Sequence, residues 1–277
     1  VSLLFDILTT AAVLFIVTCG LLLIFGVMKI INFAHGGFLT LGGYAPLLVT
    51  QWGWNAWFGG PLAFAIGLGF GALVERVVVK PLHARPLDAI LATWGLGLIV
   101  GQVITLVFGR GVQFVESPLA GTTKLLGVDY SVYRLVLILL ALLVAAVIAG
   151  VLNGTRLGLV TRAVTMNETL ARVLGVDSAR VRLSTFSFGA GLACLAGALI
   201  TPLSSVDPNM GVPWLTNAFM LAMISGTSLA SLAIACLVLG GAQVLVSVFA
   251  SPVLGGLTIV VLGAVALRVR PQGFARG

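Results

Sequence analysis

Ala11-Ala12-Val13-Leu14-Phe15-Ile16-Val17-Thr18-Cys19-Gly20-Leu21-Leu22-Leu23-Ile24-Phe25-Gly26-Val27-Met28 contains no charged residue. A helix needs about 20 predominantly apolar residues to cross a bilayer, and in hydrocarbon only a helix or a closed barrel satisfies its own backbone. The run is too long for the apolar core of a secretory signal, and no basic segment precedes it. It reads as a retained span over about 7–28.

Eight more such segments follow, at about 33–50, 56–78, 88–109, 130–152, 183–205, 212–226, 229–249 and 254–269. Of the 277 residues 60% are hydrophobic and 8% charged, against about 25% charged in a soluble domain. Mean hydropathy is +1.18. The expected fold is an all-α integral membrane protein, a polytopic bundle of about 8–9 transmembrane helices, forming one transmembrane domain over 1–277. The 35 glycines would weaken soluble helices but suit close helix packing in lipid. The net charge of +7 does not indicate nucleic acid, because the bases are scattered through short connections. Cys19, Cys194 and Cys236 all fall in apolar stretches and are expected to be unpaired packing residues.

Three connections are basic and therefore cytoplasmic candidates. One carries Arg76, Lys80 and Arg85; the next Arg156, Arg162, Arg172, Arg180 and Arg182; the last Arg268, Arg270 and Arg276. The connections 51–55 and 206–211 have no Lys or Arg and go outside, and 110–129 is placed with them. Parity then leaves two options. If 33–50 crosses fully, Val1 is outside and there are nine spans. If Gly36, Gly37, Gly42 and Gly43 break that segment, Val1 is inside. The run 212–226 is also short and ends at Gly226-Thr227-Ser228. Paired interrupted segments point to a solute pathway in transporter folds.

The connection 153–182 is long and polar. Leu170, Val173 and Leu174 share one face of a short helix that Asn167 can cap and Gly175 can end. Such a helix lies on the membrane surface or docks a soluble partner. The sequence has no G-x-x-x-x-G-K-[ST] phosphate loop, no catalytic Ser/His/Asp order and no metal-ligating cluster. No acid falls deep within a span, whereas proton-coupled carriers generally need a buried titratable relay. Two classes remain: a passive channel or carrier, or a permease driven by a separate ATPase.

The stretch Ile24-Phe25-Gly26-Val27-Met28-Lys29-Ile30-Ile31-Asn32-Phe33-Ala34-His35-Gly36 closely resembles the N-terminal signature of the branched-chain amino acid and urea ABC permeases. Arg162 to Asn167 with the following helix to Gly175 resembles their cytoplasmic coupling loop, and Arg270-Pro271-Gln272-Gly273 their C-terminal ending. Leu87 to Gly95 and Val206 to Gly211 look more like the urea-type branch. Three features depart from the family pattern. Gly37 stands where an acid is common, Thr169-Leu170-Ala171 where Glu-Ala-Ala is usual, and Ser225-Gly226-Thr227-Ser228 where a Gly-Gly-x-Gly is expected.

The resemblance implies an importer of the bacterial cytoplasmic (inner) membrane for urea or short-chain amides, with branched-chain amino acids as the alternative. The implied partners are a second homologous permease, two cytoplasmic ATPase subunits that carry ATP and Mg, and a periplasmic solute-binding protein. This chain itself would bind no cofactor. The candidate coupling residues are Arg162, Asn167, Glu168, Leu170, Ala171, Leu174 and Gly175, on a lever helix over 163–175. The candidate pathway residues are Asn32, His35, Gly36, Thr93, Asn217 and Thr227. Asn32 and His35 either line the path or satisfy backbone freed by the glycines. Asn217 and Thr227 either face the path or bond between helices. Trp94 beside Thr93 reads more readily as an interfacial anchor.

Overall fold

The computed structural model describes residues 2–125 and 127–269. The bases at 270 and 276 and the 270–273 motif lie outside the described residues, as does Val1. Among the described residues, seven helical segments have the length and apolarity to cross a membrane. They are α1 (Ser2–Met28), the run Ala56–Val79, α4 (Pro86–Phe108), α5 (Val132–Gly154), α8 (Ser178–Ser204), α10 (Leu229–Phe249) and α11 (Pro252–Val269). The run Ala56–Val79 contains α3 (Gly59–Val74) and ends in a π turn at Glu75–Val79. The segments expected at 33–50 and 212–226 are the shorter helices α2 (His35–Gln51) and α9 (Gly211–Ser225).

α1 and α8 form the centre, with 89% and 67% of their apolar windows buried; α4, α5 and α11 form the perimeter, each at 17%. Small residues let the backbones approach. Gly20 of α1 faces Gly189 of α8, Gly67 of α3 faces Ala190 and Gly191, and Gly197 of α8 faces the backbone of Leu39 and Gly43 in α2. Side chains lock the same seam. The Cys194 thiol donates to the Phe38 carbonyl at 3.1 Å and the Thr201 hydroxyl to the Gly43 carbonyl at 3.0 Å. All three cysteines are free and buried, so here they serve packing.

The four glycines of the second segment do not break it. Gly36, Gly37, Gly42 and Gly43 all lie in continuous helix. The chain leaves helix earlier, at 29–34, where the non-glycine Lys29 has φ 55. The unwound stretch reaches back to mid-membrane depth, since the His35 ring bonds Val17 near the middle of α1. α2 then continues to the far side. Unwound backbone plus helix together make one crossing, so the segment is interrupted and yet crosses.

Asp6 near the start of α1 bonds Arg134 at 2.8 Å and Tyr130 at 3.1 Å. The Ser2 end therefore lies on the face opposite the basic connections. On that face the 110–131 connection carries a small antiparallel hairpin, β1 (Thr122–Leu125) with β2 (Val128–Ser131), which hydropathy did not reveal.

The 153–182 connection holds two helices, α6 (Arg156–Met166) and α7 (Glu168–Val173), so the single helix expected over 163–175 is corrected to two that meet at Asn167. Thr155 caps α6 by accepting from the Gly158 amide at 3.2 Å, and buried Val164 anchors it. Asn167 caps α7 by accepting from the Leu170 amide at 2.9 Å. Gly175 ends it at φ +85, a conformation open to glycine.

Candidate functional site

Two interrupted elements meet near mid-membrane. α2 starts at His35, and α9 starts at Gly211 after the segment 205–210, whose Pro208 packs on Gly101 of α4 and whose Met210 packs on Gly43 of α2. The Gly211 backbone lies against the Gly36 carbonyl so closely that no side chain fits between them. Thr40 fastens the pair: its hydroxyl donates to the Gly36 carbonyl and accepts from the Gly211 amide, both at 3.1 Å. Neither helix has a side-chain N-cap. Two positive helix ends are therefore brought together, and the Thr40 hydroxyl that bonds the Gly211 amide carries no charge.

Around this junction the structure gathers four of the six candidate pathway residues: Asn32, His35, Gly36 and Thr93. Asn32 is 2% exposed, His35 0% and Thr93 1%. Thr93 accepts from the Phe33 amide at 3.3 Å and donates to the Ile90 carbonyl at 3.0 Å, which ties α4 to the unwound stretch. The Asn32 carbonyl oxygen accepts from the Ala34 amide at 3.1 Å, which fixes the amide's orientation and leaves Nδ2, a donor, without a partner. The His35 Nε2 lies 2.9 Å from the Val17 carbonyl. A carbonyl only accepts, so Nε2 carries the hydrogen and the buried, unpartnered Nδ1 is an acceptor. One donor and one acceptor are thus left open. Each unmet group costs about 1–3 kcal/mol, which a polar occupant would offset.

The other two candidates stand apart. Asn217 is half-buried, further along α9, and Thr227 is exposed in the turn after α9 beside Gly26. Trp94 is 56% exposed on the outward face of α4. Thr40, which joins the two helix starts, was missed; its place one turn after Gly36 was the only sign in the sequence.

Among the basic connections Glu168 is a node. It bonds Arg172 at 2.6 Å and Arg182 of α8, and lies 3.8 Å from His83 in the 80–85 connection. One carboxylate thus ties three segments together. Burial pushes the Glu168 carboxyl up, but the Ser178 hydroxyl and the Arg182 and Arg172 guanidiniums outweigh it and hold it below the usual carboxylate value. Burial and Arg182 push the His83 ring below its ordinary value of 6.5. Arg182 and His83 were missed because their roles depend on tertiary contacts. Leu170, Val173 and Leu174 are 55%, 77% and 75% exposed, whereas Ala171 is 2% exposed and faces inward. Arg162 is exposed on α6.

Glu168→Gln removes the carboxylate bonded to the nearly buried Arg182, and breaking a buried pair in this way costs roughly 3 kcal/mol. At pH 7 the variant should melt earlier than wild type in detergent. Because the folded Glu168 value is depressed, its contribution is complete above the unfolded value of 4.5 and is lost as pH falls through the lower folded value. The gap between variant and wild type should therefore close only below that range. A gap of constant size down to pH 3 would contradict the assignment.

The chain matches, over residues 3–268, the family described as branched-chain amino acid transport system, permease component. It is 25% identical to the high-affinity branched-chain amino acid permease LivH of Escherichia coli K12, with 93% of this chain and 89% of that protein covered. It is 26% identical to BraD of Pseudomonas aeruginosa, named likewise, with 92% and 90% covered. Similarity extends to the ribose import permease RbsC of Escherichia coli K12, at 27% over 82% and 70%. Among solved structures, PsaBC from Streptococcus pneumoniae in complex with Fab shares the fold, with a TM-score of 0.51, 15% identity and coverage of 98% and 93%. The urea-like reading of 87–95 and 206–211 finds no support in these relatives. The chain belongs to the permease family of branched-chain amino acid transport systems, as a multi-pass transport subunit of the cytoplasmic membrane.

Proposed function

We propose that this chain forms part of the solute path of an ATP-driven importer for branched-chain amino acids. The observation that carries the reading is the similarity to LivH and BraD, both named for that transport, over about nine-tenths of each chain. The junction of α2 and α9 is chemically suited to it. Half-helix N-termini at the bilayer midplane are matched to an anionic substrate group, such as an amino acid carboxylate. A neutral amide would gain less there. Asn32 Nδ2 and His35 Nδ1 are a donor and an acceptor without partners where the chain leads into α2. The complex would include a second homologous permease, two ATPase subunits that bind ATP and Mg, and a periplasmic binding protein. The exposed face of α7 would meet an ATPase.

The test is to reconstitute the complex in liposomes and measure ATP hydrolysis and uptake with leucine, isoleucine, valine, urea, acetamide and ribose in turn. Stimulation by the three branched-chain amino acids is expected. Stimulation by urea or acetamide alone would reject the reading.

His35 tests the path itself. His35→Gln keeps a donor for Val17 and should retain most uptake. His35→Leu removes both nitrogens and should lower leucine uptake about tenfold, the scale of one buried hydrogen bond left unmade. Undiminished uptake by His35→Leu would assign the ring to packing alone.

A further inference from the structure

The outer face holds a second polar feature just outside the α2–α9 junction. A cavity of about 280 Å³ is lined by Gln102, Thr105, Arg110, Asp207, Pro208 and Asn209. Its floor belongs to the same 205–210 segment that leads into Gly211, where the two helix starts meet. Its wall is α4, whose Gly101 packs on the Pro208 carbonyl. Two backbone bonds between Gln113 and Val206, at 2.8 and 2.9 Å, strap the loop after α4 onto this segment.

Arg110 and Asp207 line one small cavity with opposite charges, and yet among the described residues neither has an ion-pair partner within 4.0 Å. One Asp207 oxygen accepts from the Asn209 amide at 2.8 Å, which holds the carboxylate in place. The Thr105 hydroxyl is turned to the Gly101 carbonyl at 2.8 Å, leaving its oxygen free to accept. Opposite charges that share a cavity and do not pair leave room for a molecule that carries both.

We infer that this cavity is an outer subsite for the zwitterionic head of an amino acid, with Arg110 taking the α-carboxylate and Asp207 the α-ammonium. The inference rests on the amino-acid reading above and deepens it. The lining offers no apolar pocket for a side chain, so the subsite separates amino acids from neutral amides and is indifferent among leucine, isoleucine and valine.

The experiment uses the whole complex in membranes. The native cysteines are buried, so Gln102→Cys provides one accessible thiol on the cavity wall. Its labelling by a membrane-impermeant, charged thiol reagent is followed without binding protein. Leucine and valine should slow labelling about equally. Isocaproate, which lacks the ammonium, and isopentylamine, which lacks the carboxylate, should protect far less. Asp207→Asn and Arg110→Gln should each raise the leucine concentration needed for protection about tenfold, the loss expected for one hydrogen bond to a charged group. If leucine delivered by its binding protein still drives ATP hydrolysis but free leucine never protects, the subsite is wrong and the importer reading stands. Protection by the binding protein alone, whether loaded or empty, would likewise overturn it and make the cavity a docking face. If leucine neither protects nor drives ATP hydrolysis, both fail together.

Discussion

Gly197→Val is expected to remove folded permease from the membrane and, with it, all uptake. On α8, Gly197 faces the carbonyl oxygen of Leu39 and the amide of Gly43 on α2, and any Cβ there would fall inside normal contact distance. The neighbours are backbone, so no rotamer change can make room. Across the same seam Gly42 faces the backbone of Cys194. The helices would have to separate, breaking the Cys194–Phe38 and Thr201–Gly43 bonds at 3.1 and 3.0 Å and losing the dispersion contacts that hold helices together in lipid. Overpacking against side chains alone costs about 1–3 kcal/mol, and clash with fixed backbone costs more. Gly69→Val is the control, since nothing lies within 4 Å of a Cβ at Gly69. The measurement is the yield of monodisperse protein in mild detergent, followed by leucine uptake. Normal yield and uptake from Gly197→Val would mean that the α2–α8 seam is not tight.

The Gly197 seam also shows where sequence reading stopped. Hydropathy located the spans, because a run of apolar residues must form its hydrogen bonds internally wherever it sits in a bilayer. It could not rank them. α1 and α5 have mean hydropathies of 2.7 and 3.3, yet the first is 89% buried and the second 17%. Lipid and protein interior are equally apolar, so polarity separates them poorly. The glycines of α2 were legible as a signal but not in meaning, since they mark close approach to α4, α8 and α9 and not a break. The break itself begins at Lys29, a residue that nothing in its type singles out. Asn32, His35 and Thr93 stood out as polar groups in hydrocarbon, and the structure groups them. Thr227 stood out equally and lies exposed in the turn after α9, because polarity alone does not report depth. Glu168 and Arg172 were readable as an i,i+4 pair, whereas His83 and Arg182 join them only through folding.

Leu170→Asp combined with Leu174→Asp is expected to cut uptake by at least about a hundredfold while leaving the permease inserted and stable. Both side chains are exposed, at 55% and 75%, beside Val173 at 77%. Substitutions at such positions change stability by only about 0.5 kcal/mol or less. If α7 docks in an ATPase groove, each leucine buries apolar area worth about 1.5–3 kcal/mol. Each new aspartate would in addition have to shed its water, so two such losses together exceed a hundredfold in affinity. Asn167 and Gly175 hold both ends of the helix and are untouched, so the helix persists and only its face changes. Ala171→Asp gives the contrasting case. Ala171 is 2% exposed, and a buried charge there should lower the yield of folded protein before any effect on coupling can be read. The decisive measurement pairs leucine uptake per permease with ATP hydrolysis driven by the loaded binding protein. Full uptake by the double variant at normal expression would exclude the Leu170–Leu174 face from the ATPase contact.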